Sequence, residues 1–261
     1  MSESKELIIS SGDQLLQPTT RRRFLSMMGV AGSVVLLPSV FAACDDNPIS
    51  PDQDPDRYRL NLSDDTGILN YAFALEQLEA AFYTSALTST GFAQLSAAEQ
   101  EVLVDLQRHE VIHREFFKAA LGTTNAIPSI TFNSTTVGQL TANASILLST
   151  SQLLEDTGVS AYNGAGKYLK SAANLLLAGK IVSVEARHAA AIRDMRDIRA
   201  GNSGRLFAGD DVVTVQNALD VKMEPAAVLA SVASLNVLVS PLSLGTEPGP
   251  KTPEFRVPNP A

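Results

Sequence analysis

The sequence predicts an all-α protein built around a four-helix bundle, and three observations lead to this prediction. Four long stretches of the chain place apolar residues at helical spacing. The first and last of the connections between them are short, whereas the middle one is longer. The composition agrees, because a chain that is 45% hydrophobic, with only 6% aromatic residues and no Trp, is more typical of an Ala- and Leu-rich helical protein than of a β-sandwich.

The four helices are expected at about residues 65–87, 96–121, 136–169 and 171–199. Ser96 and Glu99 form a capping-box pattern at the start of the second helix, and Gly122 is expected to end it. Short connections make helices one and two, and helices three and four, antiparallel hairpins, and residues 123–136 form a long crossover between helices two and three. A short C-terminal helix is expected at either residues 212–220 or residues 225–235.

The parts of the chain outside the bundle have distinct compositions. Residues 1–43 carry three consecutive arginines followed by an apolar run that ends in small residues, which is typical of an export signal. The segment "TRRRFLS" resembles the twin-arginine export motif. We expect a Pro- and Asp-rich tether at residues 44–63, the bundle at 64–200, an extension at 201–240 and a Pro-rich tail at 241–261.

The end of the signal decides how the protein is held in the cell envelope. The sequence "FAAC" resembles a lipoprotein cleavage box and predicts lipidation of Cys44. Cleavage after Ala42 or Ala43 without a lipid is one alternative, and an uncleaved membrane anchor is another. In each case the protein is expected to be exported, to the periplasm or the cell envelope, and to contact the membrane only through this end.

Charge and cysteine content exclude several classes of partner and site. The formal net charge is −8, and the body of the chain has no basic run, so nucleic acid is not an expected partner. Cys44 is the single cysteine of the chain, which excludes an internal disulfide framework and a metal site with several cysteine ligands.

Two of the three histidines follow a glutamate at the same spacing. Glu110 and His113 lie three residues apart, as do Glu185 and His188. Residues three apart in a helix share a face, and apolar residues lie on the same stripe, so both pairs are expected to point into the core. Two surface pairs at accidental spacing are the alternative, but two coincidences among so few histidines are improbable.

The other two helices carry a second repeated pattern. Glu76 and Tyr83 lie seven residues apart in the first helix, and Glu155 and Tyr162 lie seven apart in the third. Seven residues are about two helical turns, so each glutamate shares a face with its tyrosine. The tyrosines are expected to be core aromatics whose hydroxyls have a hydrogen-bond partner, with a role beside the metal ligands as the alternative.

Four glutamates in a core need neutralisation by protons, by cationic side chains or by metal. Carboxylate and imidazole ligands suit two iron or two manganese ions, and zinc less selectively. One Glu from each of two helices and a Glu-x-x-His pair from each of the others is the ligand pattern of di-metal carboxylate bundles. The sequence therefore predicts a two-metal centre between the helices.

The segments "ILNYAFALEQLEAAFY", "HEVIHREFF", "EDTGVSAY" and "VSVEARHAAAIRD" resemble the ferritin-like superfamily, over about residues 64–200. The sequence is most similar to the bacterial ferritin-like domain family related to desiccation-associated proteins. The resemblance implies a ferritin-like four-helix bundle in which Glu110 and Glu185 bridge the metals, Glu76 and Glu155 are terminal ligands, and His113 and His188 bind one metal each.

Other polar residues near these motifs are expected to have smaller roles. Glu79 is expected at the boundary of the core, or in contact with a metal ligand, and His109 is expected to be solvated. Surface positions are expected for Arg114, Glu115 and Arg187.

The sequence indicates the metal ligands more closely than it indicates the reaction at the site. No catalytic residue is assigned. A redox enzyme acting on O2 or peroxide is the first hypothesis, a non-catalytic envelope-attached bundle with a structural metal is the second, and iron storage is the third. A peroxidase-like reaction would need an external electron donor, whereas a catalase-like reaction would not. The sequence leaves open whether the chain forms a homo-oligomer.

Overall fold

Four long helices dominate the structure, a computed structural model that describes residues 58–202 and 206–246. They are α1 (Asp65–Ala86), α3 (Ala97–Asn125), α5 (Ala144–Ala165) and α6 (Ala172–Arg199). Three shorter helices are α2 (Thr90–Ala93), α4 (Ser134–Leu140) and α7 (Pro225–Ser234), and the strands are β1 (Arg59–Asn61) and β2 (Ser243–Thr246). The all-α prediction is confirmed.

The long helices pack as two hairpins, as the connection lengths predict. α1 packs along α3, and α5 packs along α6. α1 and α5 also contact each other across the bundle, as do α3 and α6. α1 is buried along most of its length, and its large apolar side chains join those of the other helices in one core that includes Tyr71, Phe82, Leu103, Leu147 and Ile192.

Local capping explains where the predicted helices begin and end. The Ser96 side chain accepts from Glu99 N, and Glu99 Oε2 accepts from Ser96 N at 2.7 Å, which completes the predicted capping box. Gly122 has φ 68° and interrupts α3, so only a short helical turn follows it to Asn125. A positive φ is available to Gly without steric cost, which is why the regular helix stops there.

The third predicted helix, residues 136–169, is wrong as a single element. Residues 141–143 separate α4 from α5, and α5 ends at Ala165, where a 3-10 turn (Gly166–Tyr168) follows. Asn143 accepts from Ile146 N at 2.9 Å and caps α5, while Thr141 O accepts from Gly91 N at 3.0 Å. The break lies where α2 packs against the start of α5, a contact that helical periodicity does not reveal.

Within the described ranges, a short piece of each terminal segment forms a strand that the sequence does not predict. β1, within the expected tether, pairs in parallel with β2, within the expected tail, and Leu60 faces Leu244. Leu60 is buried in the core, which explains why this piece of the tether is held. The C-terminal helix forms at residues 225–234, with Pro225 in its first turn. Residues 212–220 are not helical and close on themselves through a Val213–Asp220 bridge.

The described ranges contain no helix that combines the length and hydrophobicity needed to cross a membrane. The expected export signal and Cys44 lie outside these ranges.

Candidate metal centre

Each long helix places one glutamate in the middle of the bundle. Glu76 lies on α1, Glu110 on α3, Glu155 on α5 and Glu185 on α6, and all four are 0% exposed. This confirms the prediction that each glutamate lies on the side of its helix that faces the core. Burial follows from the neighbouring apolar stripes, since each carboxylate lies on the same face as the core leucines and aromatics of its helix.

The two Glu-x-x-His histidines complete the cluster. Their Nδ1 atoms point at the carboxylates: His113 Nδ1 lies 2.8 Å from Glu185 Oε1, and His188 Nδ1 lies 2.8 Å from Glu110 Oε1. Each histidine therefore contacts the glutamate of the opposite Glu-x-x-His pair. The structure brings together all six residues that the sequence predicts as ligands.

The six side chains form two overlapping groups of donors. The first is Glu76, Glu110, His113 and Glu185, and the second is Glu110, Glu155, Glu185 and His188. In each group the donor atoms lie within 4.8 Å of one another. Glu110 and Glu185 belong to both groups, which is the arrangement required of two carboxylates that bridge two ions.

Many of these buried atoms have no hydrogen-bond partner among the described residues. They are Glu76 Oε2, Glu155 Oε2, both oxygens of Glu110 and of Glu185, and Nδ1 of His113 and His188. The close histidine–carboxylate distances therefore do not have hydrogen-bond geometry. Unpartnered buried polar atoms are costly, and their convergence on one point is chemically suited to a cation. Carboxylate oxygens and imidazole nitrogens are ligands for Fe, Mn and Zn, so the residues fit the predicted metals.

The two tyrosines link the halves of the bundle. Tyr83 on α1 donates to Glu155 Oε1 at 2.6 Å, and Tyr162 on α5 donates to Glu76 Oε1. Each hydroxyl therefore contacts the glutamate of the other half rather than the one on its own helix. Burial raises the pKa of both tyrosines well above their usual range, so they remain donors. Each bond engages one carboxylate oxygen and leaves Oε2 facing the centre.

Burial opposes the ionisation of several carboxyl groups at one point. It raises the pKa of Glu155 to about 8 in spite of the nearby His188, and it raises the pKa of Glu76 well above its usual range. Burial has the same tendency at Glu110, but contacts with His113 and His188 outweigh it and lower that pKa to about 2. Burial disfavours charged His188, yet its carboxylate contacts raise its pKa to about 12. The shifts at Glu76, Glu155 and His188 all favour the protonated form of the group.

Glu79 is a further buried carboxyl group, and its expected position at the core boundary is wrong. It is 3% exposed and packs against Gly158 on α5. Burial and the charges of Glu185 and Glu110 raise its pKa well above the usual range. The sequence signal was the missing side chain at Gly158, which leaves room for a glutamate on α1.

His109 is exposed as expected, but one edge of its ring contacts the centre. His109 Nδ1 lies 2.9 Å from His188 Nε2, and the two rings are nearly parallel with centroids 5.1 Å apart. The contact joins two helices, so position within α3 could not predict it. Arg114, Glu115 and Arg187 lie toward the surface as predicted, with Arg114 bonded to Glu115 and Arg187 bonded to Ser183.

Comparison with known proteins supports the interpretation of the fold. No curated protein sequence matches the chain significantly. A family model described as a ferritin-like domain matches residues 64–197, just over half of the chain. This match contains α1, α3, α5 and all but the last two residues of α6, together with every residue of the carboxylate–histidine cluster. The chain therefore belongs to the ferritin-like domain family.

Proposed function

We propose that the protein is an exported ferritin-like protein that binds two iron or two manganese ions at the bundle centre and acts on O2 or peroxide. The observation that carries the proposal is the pair of overlapping donor groups that share Glu110 and Glu185. Glu76 and His113 would complete one metal position, and Glu155 and His188 the other.

The side chains around the centre would hold the ligands in place. The hydroxyls of Tyr83 and Tyr162 fix the terminal glutamates through one oxygen each. This fixed orientation lowers the cost of organising the site when metal binds. Bound iron or manganese would supply the electrons for reduction of O2 or peroxide. A peroxidase-like reaction draws replacement electrons from an external donor, whereas a catalase-like reaction draws them from a second peroxide molecule.

Access to the centre favours the side of the bundle that carries His113. Its side chain is 12% exposed, whereas those of the four glutamates are 0% exposed and that of His188 is 4% exposed. A small molecule such as peroxide would therefore approach past His113, between α3 and its neighbours.

A non-catalytic role is the second candidate, and the burial of the centre favours it. Structural metal sites are closed by protein ligands, whereas catalytic sites keep an open position. Six protein donors with so little exposed surface fit the closed type. In that case the protein is an envelope-attached bundle in which the metal joins the two hairpins.

Turnover measurements distinguish the two candidates. Protein purified from its own host should contain iron or manganese and should consume peroxide or O2. His188→Ala should lose most of this activity at a matched folded fraction, because one of the six donors is removed. Arg187→Ala is the matched control, since its exposed side chain bonds Ser183 on the same helix. A metal-loaded wild type without turnover, together with a lowered melting temperature for His188→Ala, would favour the structural role.

A further inference from the structure

The two halves of the centre follow one plan, but they differ at the residue before each Glu-x-x-His pair. His109 precedes Glu110 on α3, whereas Val184 precedes Glu185 on α6. His109 reaches across to α6, where its Nδ1 lies 2.9 Å from Nε2 of His188. Val184, at the corresponding position of the other half, has no group that can form a hydrogen bond with His113.

This contact is on the far side of the His188 ring from the carboxylates. His188 Nδ1 faces Glu110, Glu155 and Glu185, so Nδ1 is the atom that would bind metal. A neutral imidazole that binds metal through Nδ1 carries its hydrogen on Nε2. That Nε2–H can donate to His109 Nδ1, and the two rings lie nearly in one plane, edge to edge, so this bond restricts rotation of His188. With His109 Nδ1 as the acceptor, the contact therefore supports the tautomer and the orientation that a metal ligand needs.

We propose that His109 is a positioning residue that makes the two metal positions unequal, so that the position at His188 binds the metal more tightly than the position at His113. The inference rests on the proposed two-metal centre. Burial also favours tighter binding at the His188 position, since the His188 side chain is 4% exposed and the His113 side chain is 12% exposed. The better-shielded position is also the one with the outer hydrogen bond.

Calorimetric titration of the metal-free protein with Mn²⁺ tests the proposal. The wild type should bind Mn²⁺ in two phases of different affinity. His109→Leu should weaken the tighter phase by about 10- to 100-fold, the usual effect of losing an outer hydrogen bond to a ligand, and should leave the weaker phase in place. The electron paramagnetic resonance spectrum of the first bound Mn²⁺ should change with it.

Two further variants separate positioning from general damage. His109→Asn places an amide oxygen near the position of Nδ1 and should restore most of the affinity. Val184→Leu changes the corresponding residue of the other half without removing a hydrogen bond, and it should keep both phases. Because His109 is exposed, the metal-free forms of both His109 variants should melt close to the wild-type temperature.

The titrations test the role of His109 separately from the proposed metal centre on which it rests. Two-phase binding by the wild type with the same affinities in His109→Leu would overturn the role of His109 and leave the metal centre intact. Equal weakening by His109→Asn and His109→Leu would also overturn it, because the hydrogen bond would then not be the cause. A wild type that takes up no Mn²⁺, Fe²⁺ or Zn²⁺ would overturn both proposals.

Discussion

At the scale of single residues, two tyrosine hydroxyls determine which oxygens of the terminal glutamates remain directed at the centre. Tyr83 occupies one oxygen of Glu155, and Tyr162 occupies one oxygen of Glu76, in each case across the interface between the two hairpins. The hydroxyls thus orient the proposed metal ligands and at the same time satisfy acceptors that would otherwise be buried without a partner.

Replacing Tyr83 with Phe should destabilise the protein, because it leaves Glu155 Oε1 buried without its donor. The expected loss is about 1–3 kcal/mol in the free energy of unfolding, the usual cost of an unsatisfied buried group. Denaturant unfolding of the metal-free protein measures it. The same variant should also bind metal more weakly, since Glu155 loses its fixed orientation.

Tyr71 supplies the matched control for Tyr83. Its hydroxyl is buried and has no hydrogen-bond partner within the described ranges. Tyr71→Phe removes that hydroxyl and should be neutral or slightly stabilising. Equal losses in Tyr71→Phe and Tyr83→Phe would mean that the bond to Glu155 contributes nothing to stability.

At the scale of helices, the beginnings of α1 and α6 are joined by one side chain. Asp65 accepts from Lys170 N at 2.8 Å, Ser171 N at 2.9 Å and Asn174 Nδ2 at 2.9 Å. Partial burial acts to raise the pKa of Asp65, but these hydrogen bonds outweigh it and lower the pKa below its usual value. The ionised carboxylate therefore stabilises the folded protein.

The free energy of unfolding should fall in acid, because Asp65 loses its charge. Its folded pKa is below its unfolded pKa, so its contribution is present above the unfolded value and is lost as the pH falls through the folded value. Asp65→Asn should lower stability near neutral pH and reduce the difference between stability at about pH 7 and about pH 3. Denaturant unfolding at the two pH values measures this; an unchanged difference would contradict the role of Asp65.

The C-terminal extension packs so closely on α5 that only glycine fits at one position. A Cβ added to Gly164 would lie 1.9 Å from Met223 O, and Met223 N donates to Ser160 O at 2.9 Å. Gly164→Ala should therefore force the two backbones apart and destabilise the protein by about 1–3 kcal/mol. Thermal unfolding checks the direction.

Gly179 on α6 provides the control for this substitution. A Cβ at Gly179 would meet no atom within 4 Å. Gly179→Ala should stabilise the protein by about 0.4–1 kcal/mol, because alanine loses less backbone entropy in a helix. A stabilising Gly164→Ala would show that residues 221–224 do not hold their position against α5.

Features that depend on a single helix could be predicted from the sequence, whereas contacts between separate elements could not. Glu110 and His113 are three apart on one helix, so their shared face follows from helical geometry alone. The break at residues 141–143, the crossed Tyr83–Glu155 bond and the His109–His188 contact each depend on a second element that packs from elsewhere in the chain. The β1–β2 pair joins residues near opposite ends of the described chain. Such long-range contacts leave no periodic pattern in the sequence.

At the scale of the whole molecule, the carboxylate–histidine cluster connects the two hairpins, since each group of donors includes residues of both hairpins. Removing metal with a chelator should lower the melting temperature, because metal binds the folded state preferentially. Free metal at about a hundred times its dissociation constant should add about 2.7 kcal/mol of stability per site. The shift should be smaller in His188→Ala. Identical melting curves for metal-loaded and metal-free protein would contradict a role for metal in joining the hairpins.

A second prediction at this scale concerns the export that residues 1–43 predict. If the twin-arginine-like signal is used, the protein leaves the cytoplasm already folded, and metal is loaded before export. Arg21→Lys combined with Arg22→Lys should trap the precursor in the cytoplasm, as measured by cell fractionation. Arg23→Lys is the control and should be exported. Continued export of the double variant would indicate the route that carries unfolded chains.

The central claim, that two metal ions lie between the four long helices, is tested most directly by anomalous X-ray diffraction. Crystals of protein purified from its own host would be measured on both sides of the absorption edge of the metal that elemental analysis finds. We predict two anomalous peaks, one among Glu76, Glu110, His113 and Glu185 and the other among Glu110, Glu155, Glu185 and His188. The absence of a peak at the bundle centre, or peaks held by other residues, would contradict the account.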